Sequence, residues 1–208
     1  ANTTGASNTA LGYQSLKANT TASNNTAVGY QAGLSTTSST YQTHIGYQAG
    51  RANTTGNLLA IGYQSGFNAT TGTANTFVGR YRAGYSTTTG SKNSAFGDQA
   101  LYTNTTGGNN VAIGYATLYS NTTGPSGTAV GYTALFANTT GANNVGVGSG
   151  ALVTNTTGDN NVGLGANALS ANTTAEANTA VGTNALITNT TGAYNVAVGM
   201  QALNSNTT

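Results

Sequence analysis

The chain contains no cysteine and no tryptophan, a single proline, and only five basic and three acidic side chains in 208 residues. Without cysteine it has neither a disulfide framework nor a thiolate metal site. Charged residues make up 4% of the sequence, against about 25% in ordinary soluble domains. A net charge of +2 over this length is too thin to track a phosphate backbone, so no nucleic-acid partner is expected. No apolar run approaches the roughly 20 residues of a membrane span, and no secretory leader is recognisable. The chain starts in the register of an internal repeat and stops four residues into another, as expected of a processed chain or a segment of a longer array.

Titratable chemistry is equally scarce. His44 is the one histidine, and Asp98, Asp159 and Glu176 fall in separate repeats. General acid–base catalysis needs such groups placed together, so no enzyme is expected. Asp159 and Glu176 occupy the same place in consecutive repeats and would stand on successive coils. They lack the acidic nonapeptide pattern of calcium-binding rolls, so no metal is expected. Glycine-rich stretches such as "VGVGSG" lack the lysine and the strand–loop–helix setting of a phosphate cradle, and no cofactor is expected.

What the sequence has is repetition. Twelve units begin at Ala1, Ala18, Ser35, Ala52, Asn68, Ser86, Thr103, Ser120, Ala137, Thr154, Ala171 and Thr188. Ten share one length; the fourth is a single residue shorter and the fifth a single residue longer. The consensus is A-N-T-T-G-x-N-N-[VT]-A-[VIL]-G-Y-Q-A-L-x. Disordered chains carry high charge and few β-branched or aromatic residues; here Val, Ile, Leu, Thr and Tyr recur at fixed places. The unit is half the length of a helical solenoid repeat, and its Thr, Val, Asn and Gly content disfavours helix. The expected fold is therefore all-β: a single array over 1–208, a β-solenoid (β-roll or β-helix) of twelve coils of roughly 17 residues.

The twelfth place is glycine in every unit: Gly12, Gly29, Gly46, Gly62, Gly79, Gly97, Gly114, Gly131, Gly148, Gly165, Gly182 and Gly199. A positive φ or a close approach by a neighbour would require it, and these are the expected corners. Spacing of two places the ninth-place Val or Thr and the eleventh-place aliphatic on one strand face, taken as the inward face. The Leu of "AL" supplies a further inward position, and "NTTG" a turn. One coil is thus expected to run strand, corner, short strand, turn. The eighth-place Asn column, from Asn8 through Asn110 to Asn195, is expected to stack as an amide ladder.

Between the two β-branched places lies Ala, Gly or Ser in ten of the twelve units. Strand alternation points this column away from the interior, where its small size predicts close packing by another chain. The exceptions are His44 and Phe77.

The segments "NNVAIG" (109–114), "NNVGVG" (143–148) and "YNVAVG" (194–199) resemble the head repeats of YadA-like trimeric autotransporter adhesins. They are also similar to repeats of bacterial and phage fibre proteins that carry a chaperone-type tail domain. The resemblance implies a left-handed β-roll, assembled as a parallel trimer and exposed at a cell or virion surface.

Where the repeat length lapses, His44, Arg51, Phe67, Phe77, Arg80, Tyr81, Arg82 and Tyr85 gather. Aromatic and Arg side chains are those that interfaces favour. His44, Arg51, Phe77, Arg80, Tyr81 and Arg82 form the candidate binding patch. The ten "NTT" copies are formal N-glycosylation sequons, although glycans on coils about 4.8 Å apart would crowd. The expected function is structural: a β-solenoid of an extracellular filament, surface fibre or adhesin, whose partners are copies of itself and a host surface or glycan. The alternative is an ice- or carbohydrate-binding module using a Thr/Asn face.

Overall fold

The computed structural model describes residues 2–208. The chain is all-β, with twelve parallel strands stacked as a β-solenoid and no helix among the described residues. It forms two compact units, Ala1–Thr106 and Gly107–Thr208. The first holds β1 (Thr9–Leu11), β2 (Thr26–Val28), β3 (Thr43–Ile45), β4 (Leu58–Tyr63), β5 (Asn75–Tyr81) and β6 (Ser94–Phe96). The second holds β7 (Val111–Ile113), β8 (Thr128–Val130), β9 (Val145–Val147), β10 (Val162–Leu164), β11 (Thr179–Val181) and β12 (Val196–Val198). Within each unit every strand pairs in parallel with the next, repeat place on repeat place, as in Thr26↔Thr43 and Val145↔Val162.

Most coils contribute one strand of only three residues; the second short strand expected after the corner is a turn. Those turns are nonetheless laddered from coil to coil, as in Leu135 N–H to Ala151 O at 3.0 Å and Thr139 N–H to Thr156 O at 2.8 Å. So short a coil must bend sharply. The tenth coil does so at Asn160 (φ +58°), Gly165 (+134°), Asn167 (+54°) and Leu169 (+53°). Left-handed backbone at a leucine costs about 1–2 kcal/mol, yet Leu101, Leu118, Leu135, Leu152, Leu169, Leu186 and Leu203 all adopt it. The first six are fully buried as the sequence predicts, whereas Leu203, in the last coil, is 51% exposed.

The strand faces are the reverse of the expectation. Ala27, Ala60, Ala95, Ala112, Ala129 and Ala180 are wholly buried, while the ninth- and eleventh-place residues flanking them are partly or largely exposed. The small column therefore points into its own coil, and close packing by another chain cannot be read from it. Room is the physical reason. The interior already holds the Leu column, fifteenth-place alanines such as Ala151 and Ala168, and two buried Asn columns; only a methyl group or a hydrogen fits opposite them.

His44 and Phe77 break that rule and show how. Both are completely buried. The Leu place on the coils around them is glycine: Gly33 and Gly50 beside His44, Gly66 and Gly84 beside Phe77. A Cβ on Gly33 would lie 2.6 Å from His44 Cδ2, and one on Gly84 2.5 Å from Phe77 Cγ. The ring has taken the volume that leucines fill elsewhere, so core volume is conserved across coils.

The length changes are equally local. Thr43 pairs with Leu59, one position short of a full repeat, because the turn from Asn53 to Leu58 lacks a residue. Ile61 pairs with Val78 but Tyr63 with Tyr81, which makes Arg80 the extra residue of a β-bulge.

Candidate functional site

With the small column inward, the outward face of the sheet carries the ninth, eleventh and thirteenth places. In the first unit these are Thr26, Val28 and Tyr30, then Thr43, Ile45 and Tyr47, then Leu59, Ile61 and Tyr63. The second unit continues the theme with Val111, Ile113 and Tyr115, then Thr128, Val130 and Tyr132, and Val145 and Val147. Ile113 is 41% exposed, Leu164 36% and Phe96 41%. The face carries no charge apart from Asp98 and the bulged Arg80, and those two neutralise each other through Arg80 Nη2 to Asp98 Oδ2 at 2.7 Å. Tyr13, Tyr30, Tyr47, Tyr63 and Tyr81 stack in one ladder, centroids 5.1 to 5.5 Å apart and planes within 17°. Tyr115 and Tyr132 stack likewise at 5.3 Å.

Beside the tyrosines runs an amide ladder. Gln31 Nε2 donates to Gln14 Oε1 at 2.9 Å, Gln48 to Gln31 at 3.0 Å and Gln64 to Gln48 at 2.9 Å. Arg82 takes the next place in this column, its Nε donating to Gln64 Oε1 at 2.8 Å. Its guanidinium carbon lies 4.8 Å from the Tyr81 ring centroid and 4.9 Å from that of Tyr85. Arg51 is held similarly, with Nε 3.2 Å from Gln31 Oε1 and its guanidinium 5.5 Å from the Phe67 centroid.

The six candidate patch residues thus divide. Arg51, Arg80, Tyr81 and Arg82 reach the surface, Tyr81 and Arg82 in contact. His44 and Phe77 lie inside the coils and touch no solvent. Neither ring nitrogen of His44 has a hydrogen-bond partner, and burial lowers its pKa from 6.5 to about 4. The twelfth-place glycines take φ between +121° and +135° in eleven units; Gly79, ahead of the bulge, is the exception.

Both Asn columns are interior. At the eighth place Asn144 Oδ1 accepts the Asn161 N–H at 2.9 Å while Asn144 Nδ2 donates to Gly158 O at 2.7 Å. This ladder works chiefly between side chain and backbone. The amide-to-amide chain stands instead at the second place, where Asn138 Nδ2 reaches Asn121 Oδ1 at 2.9 Å and Asn155 Nδ2 reaches Asn138 Oδ1 at 2.9 Å. These second-place residues are the sequon asparagines. Asn53, Asn104, Asn121, Asn138, Asn155, Asn172 and Asn189 are at most 1% exposed, so an N-linked glycan has no point of attachment on those coils once folded. The following threonines donate their hydroxyls to the next coil, as in Thr139 Oγ1 to Thr156 O at 3.0 Å.

Thr36 and Thr87 replace Asn at the second place, and their buried hydroxyls have no partner. Thr87→Val removes that unpaired oxygen at constant shape. It is expected to raise stability by about 1 kcal/mol, measured as a higher urea midpoint at unchanged slope.

Asp159 and Glu176 are committed to the turns: Asp159 Oδ1 accepts the Ala142 N–H at 2.7 Å, and Glu176 Oε1 accepts the Tyr194 hydroxyl at 2.9 Å. The Glu176 bond holds Tyr194 above its ordinary pKa. No protein-family model, no curated protein and no solved structure matches the chain.

Proposed function

We propose that this chain is a structural, non-enzymatic β-solenoid whose copies pack side by side through the outward sheet face. The single observation that carries this reading is a column of Val, Ile and Leu at the eleventh place, flanked by Thr or Val and by Tyr, left on the surface of coil after coil. Contiguous apolar surface of this kind is a mark of interaction sites. A second copy is the partner that fits, because it presents the same columns at the same coil spacing. It also brings no unpaired charge against this uncharged face, so self-contact meets no repulsion. Placement in an extracellular filament, surface fibre or adhesin rests on the resemblance of the "NNVAIG" segments.

Sedimentation velocity tests the assembly. The chain is expected to sediment as a defined oligomer, and Val147→Lys with Leu164→Lys to shift it to monomer. Both places are outside the coil interior, so circular dichroism should not change. A monodisperse wild-type monomer sinks the proposal.

The alternative of a Thr/Asn binding surface is left with less material. The second- and eighth-place Asn columns are inside the coils, and the first Thr of most "NTT" copies spends its hydroxyl on the neighbouring carbonyl. The second Thr of each turn, the exposed asparagines Asn24, Asn109, Asn143 and Asn160, and the outward ninth-place threonines would remain to form such a surface.

A further inference from the structure

We infer that the first unit carries a binding stripe for a linear acidic polysaccharide, built from Lys17, Arg51 and Arg82. Backbone pairing places Lys17, Leu34, Arg51, Phe67 and Tyr85 in one column: Ala18 N–H bonds Leu34 O, Ser35 N–H bonds Arg51 O, Ala52 N–H bonds Phe67 O and Asn68 N–H bonds Tyr85 O. Arg82, one column over, lies against that column through its contact with Tyr85. The three cations therefore fall on the first, third and fifth coils of one surface stripe. At about 4.8 Å per coil they recur on the order of every 10 Å.

No carboxylate answers them. Among the described residues the one ion pair is Arg80 with Asp98. Asp159 and Glu176 both belong to the second unit. Two of the three cations are also pre-set. Arg51 and Arg82 each commit Nε to a rung of the Gln ladder and hold the guanidinium carbon 5.5 and 4.9 Å from the centroids of Phe67 and Tyr85, and Arg82 Nη1 also donates to the Tyr102 hydroxyl at 3.3 Å. That leaves the terminal amino groups of Arg51 and Nη2 of Arg82 to meet an anion at reduced entropic cost, and a guanidinium fork such as that of Arg51 suits a planar carboxylate. Apart from Leu34, the rest of the stripe is glutamine amide and aromatic ring, groups suited to sugar hydroxyls and ring faces.

The spacing selects the ligand. Cations repeating at two-coil intervals along a straight amide ladder fit an extended, stiff polymer of pyranose rings bearing carboxylates at regular intervals. A flexible nucleic-acid strand would give up chain entropy to lie straight along that stripe, a cost that a stiff polysaccharide does not meet.

The test is binding of the full chain to polygalacturonate at low salt, with neutral dextran and an oligothymidylate as comparison probes. Polygalacturonate is expected to bind, dextran to give no signal, and oligothymidylate to bind at least tenfold more weakly. Arg51→Gln with Arg82→Gln should weaken polygalacturonate binding at least tenfold. The second of these substitutions extends the existing amide column, so the melting temperature should stay near that of the wild type. Lys92→Gln, off the stripe, should change affinity less than twofold. Lys17→Gln, at an exposed position, should cost about threefold and decides the matter if the double variant does not fold. No binding by the wild type, undiminished binding by the folded double variant or by Lys17→Gln, an equal loss in Lys92→Gln, or equal affinity for oligothymidylate each overturns the inference. These outcomes concern a monomer surface and are separable from the fate of the side-by-side assembly.

Discussion

Gly148→Ala and Gly146→Ala, two residues apart in one coil, should shift stability in opposite directions. Gly148 has φ +132°, and a Cβ there would stand 2.6 Å from both the carbonyl carbon and the oxygen of Gly165 on the next coil. Neither atom can yield, because both belong to a backbone laddered on either side. Strain at such a φ costs about 1–3 kcal/mol, and separating two paired coils adds to it. A loss on the order of 4 kcal/mol is expected. Gly146 is the inward middle residue of β9, with no positive φ. A Cβ there would meet Ala151 O and Leu135 Cγ at 3.2 Å, a tight fit that the same place already accepts as Ala112, Ala129 and Ala180. Gly146→Ala should therefore gain about 0.5–1 kcal/mol by restricting the unfolded chain. Urea unfolding of the pair measures both signs. In a solenoid each coil contacts only its neighbours, so hydrogen exchange should place the Gly148→Ala damage in the coils around Gly148 and Gly165. Equal midpoints for the two variants would show that the corner needs no glycine.

The periodicity, the parallel stack, the corner glycines' place in the unit and the buried Leu column could all be read from the sequence, because each rests on spacing alone. The facing of the strand could not. In "VAV" the alternation has two solutions, and the habit of putting large apolar groups inside chooses the wrong one when the interior is too narrow for them. His44 and Phe77 held the clue. A large residue in the middle place coincides with glycine at the Leu place of the adjacent coils, a pairing that makes sense only if both point inward. The bends at Leu169 or Gln31 were invisible for a different reason: neither residue type favours positive φ, and interactions between coils impose it. The surface cations at Arg51 and Arg82 were singled out by composition, but the Gln ladder that fixes them is a property of stacking. From the sequence, "GYQ" returning once in each of the first four units was its only trace.

Acid should weaken this fold through one side chain. His44 fills the space between Gly33 and Gly50 with both nitrogens unpaired, and burial depresses its pKa from 6.5 to about 4. The folded chain therefore resists a proton that the unfolded chain accepts. At pH values above 6.5 neither state is protonated and the stability is complete. As pH falls from 6.5 towards 4 the unfolded state gains the proton first, and stability drops by about 1.4 kcal/mol per pH unit, about 3 kcal/mol in all. Below that range the term is exhausted. Phe77 shows that a phenyl ring is accepted at the same place between two glycines, so His44→Phe should fold. It should be more stable than wild type at pH 7 by about 1 kcal/mol or more, since two buried nitrogens no longer go unpaired. The difference between the two proteins should then widen on acidification by the full linkage term. Urea midpoints taken at half-unit steps from pH 7.5 to 4 measure it. A constant gap between wild type and His44→Phe across that range would mean that His44 finds a partner or solvent, and that the ring does not sit sealed inside its coil.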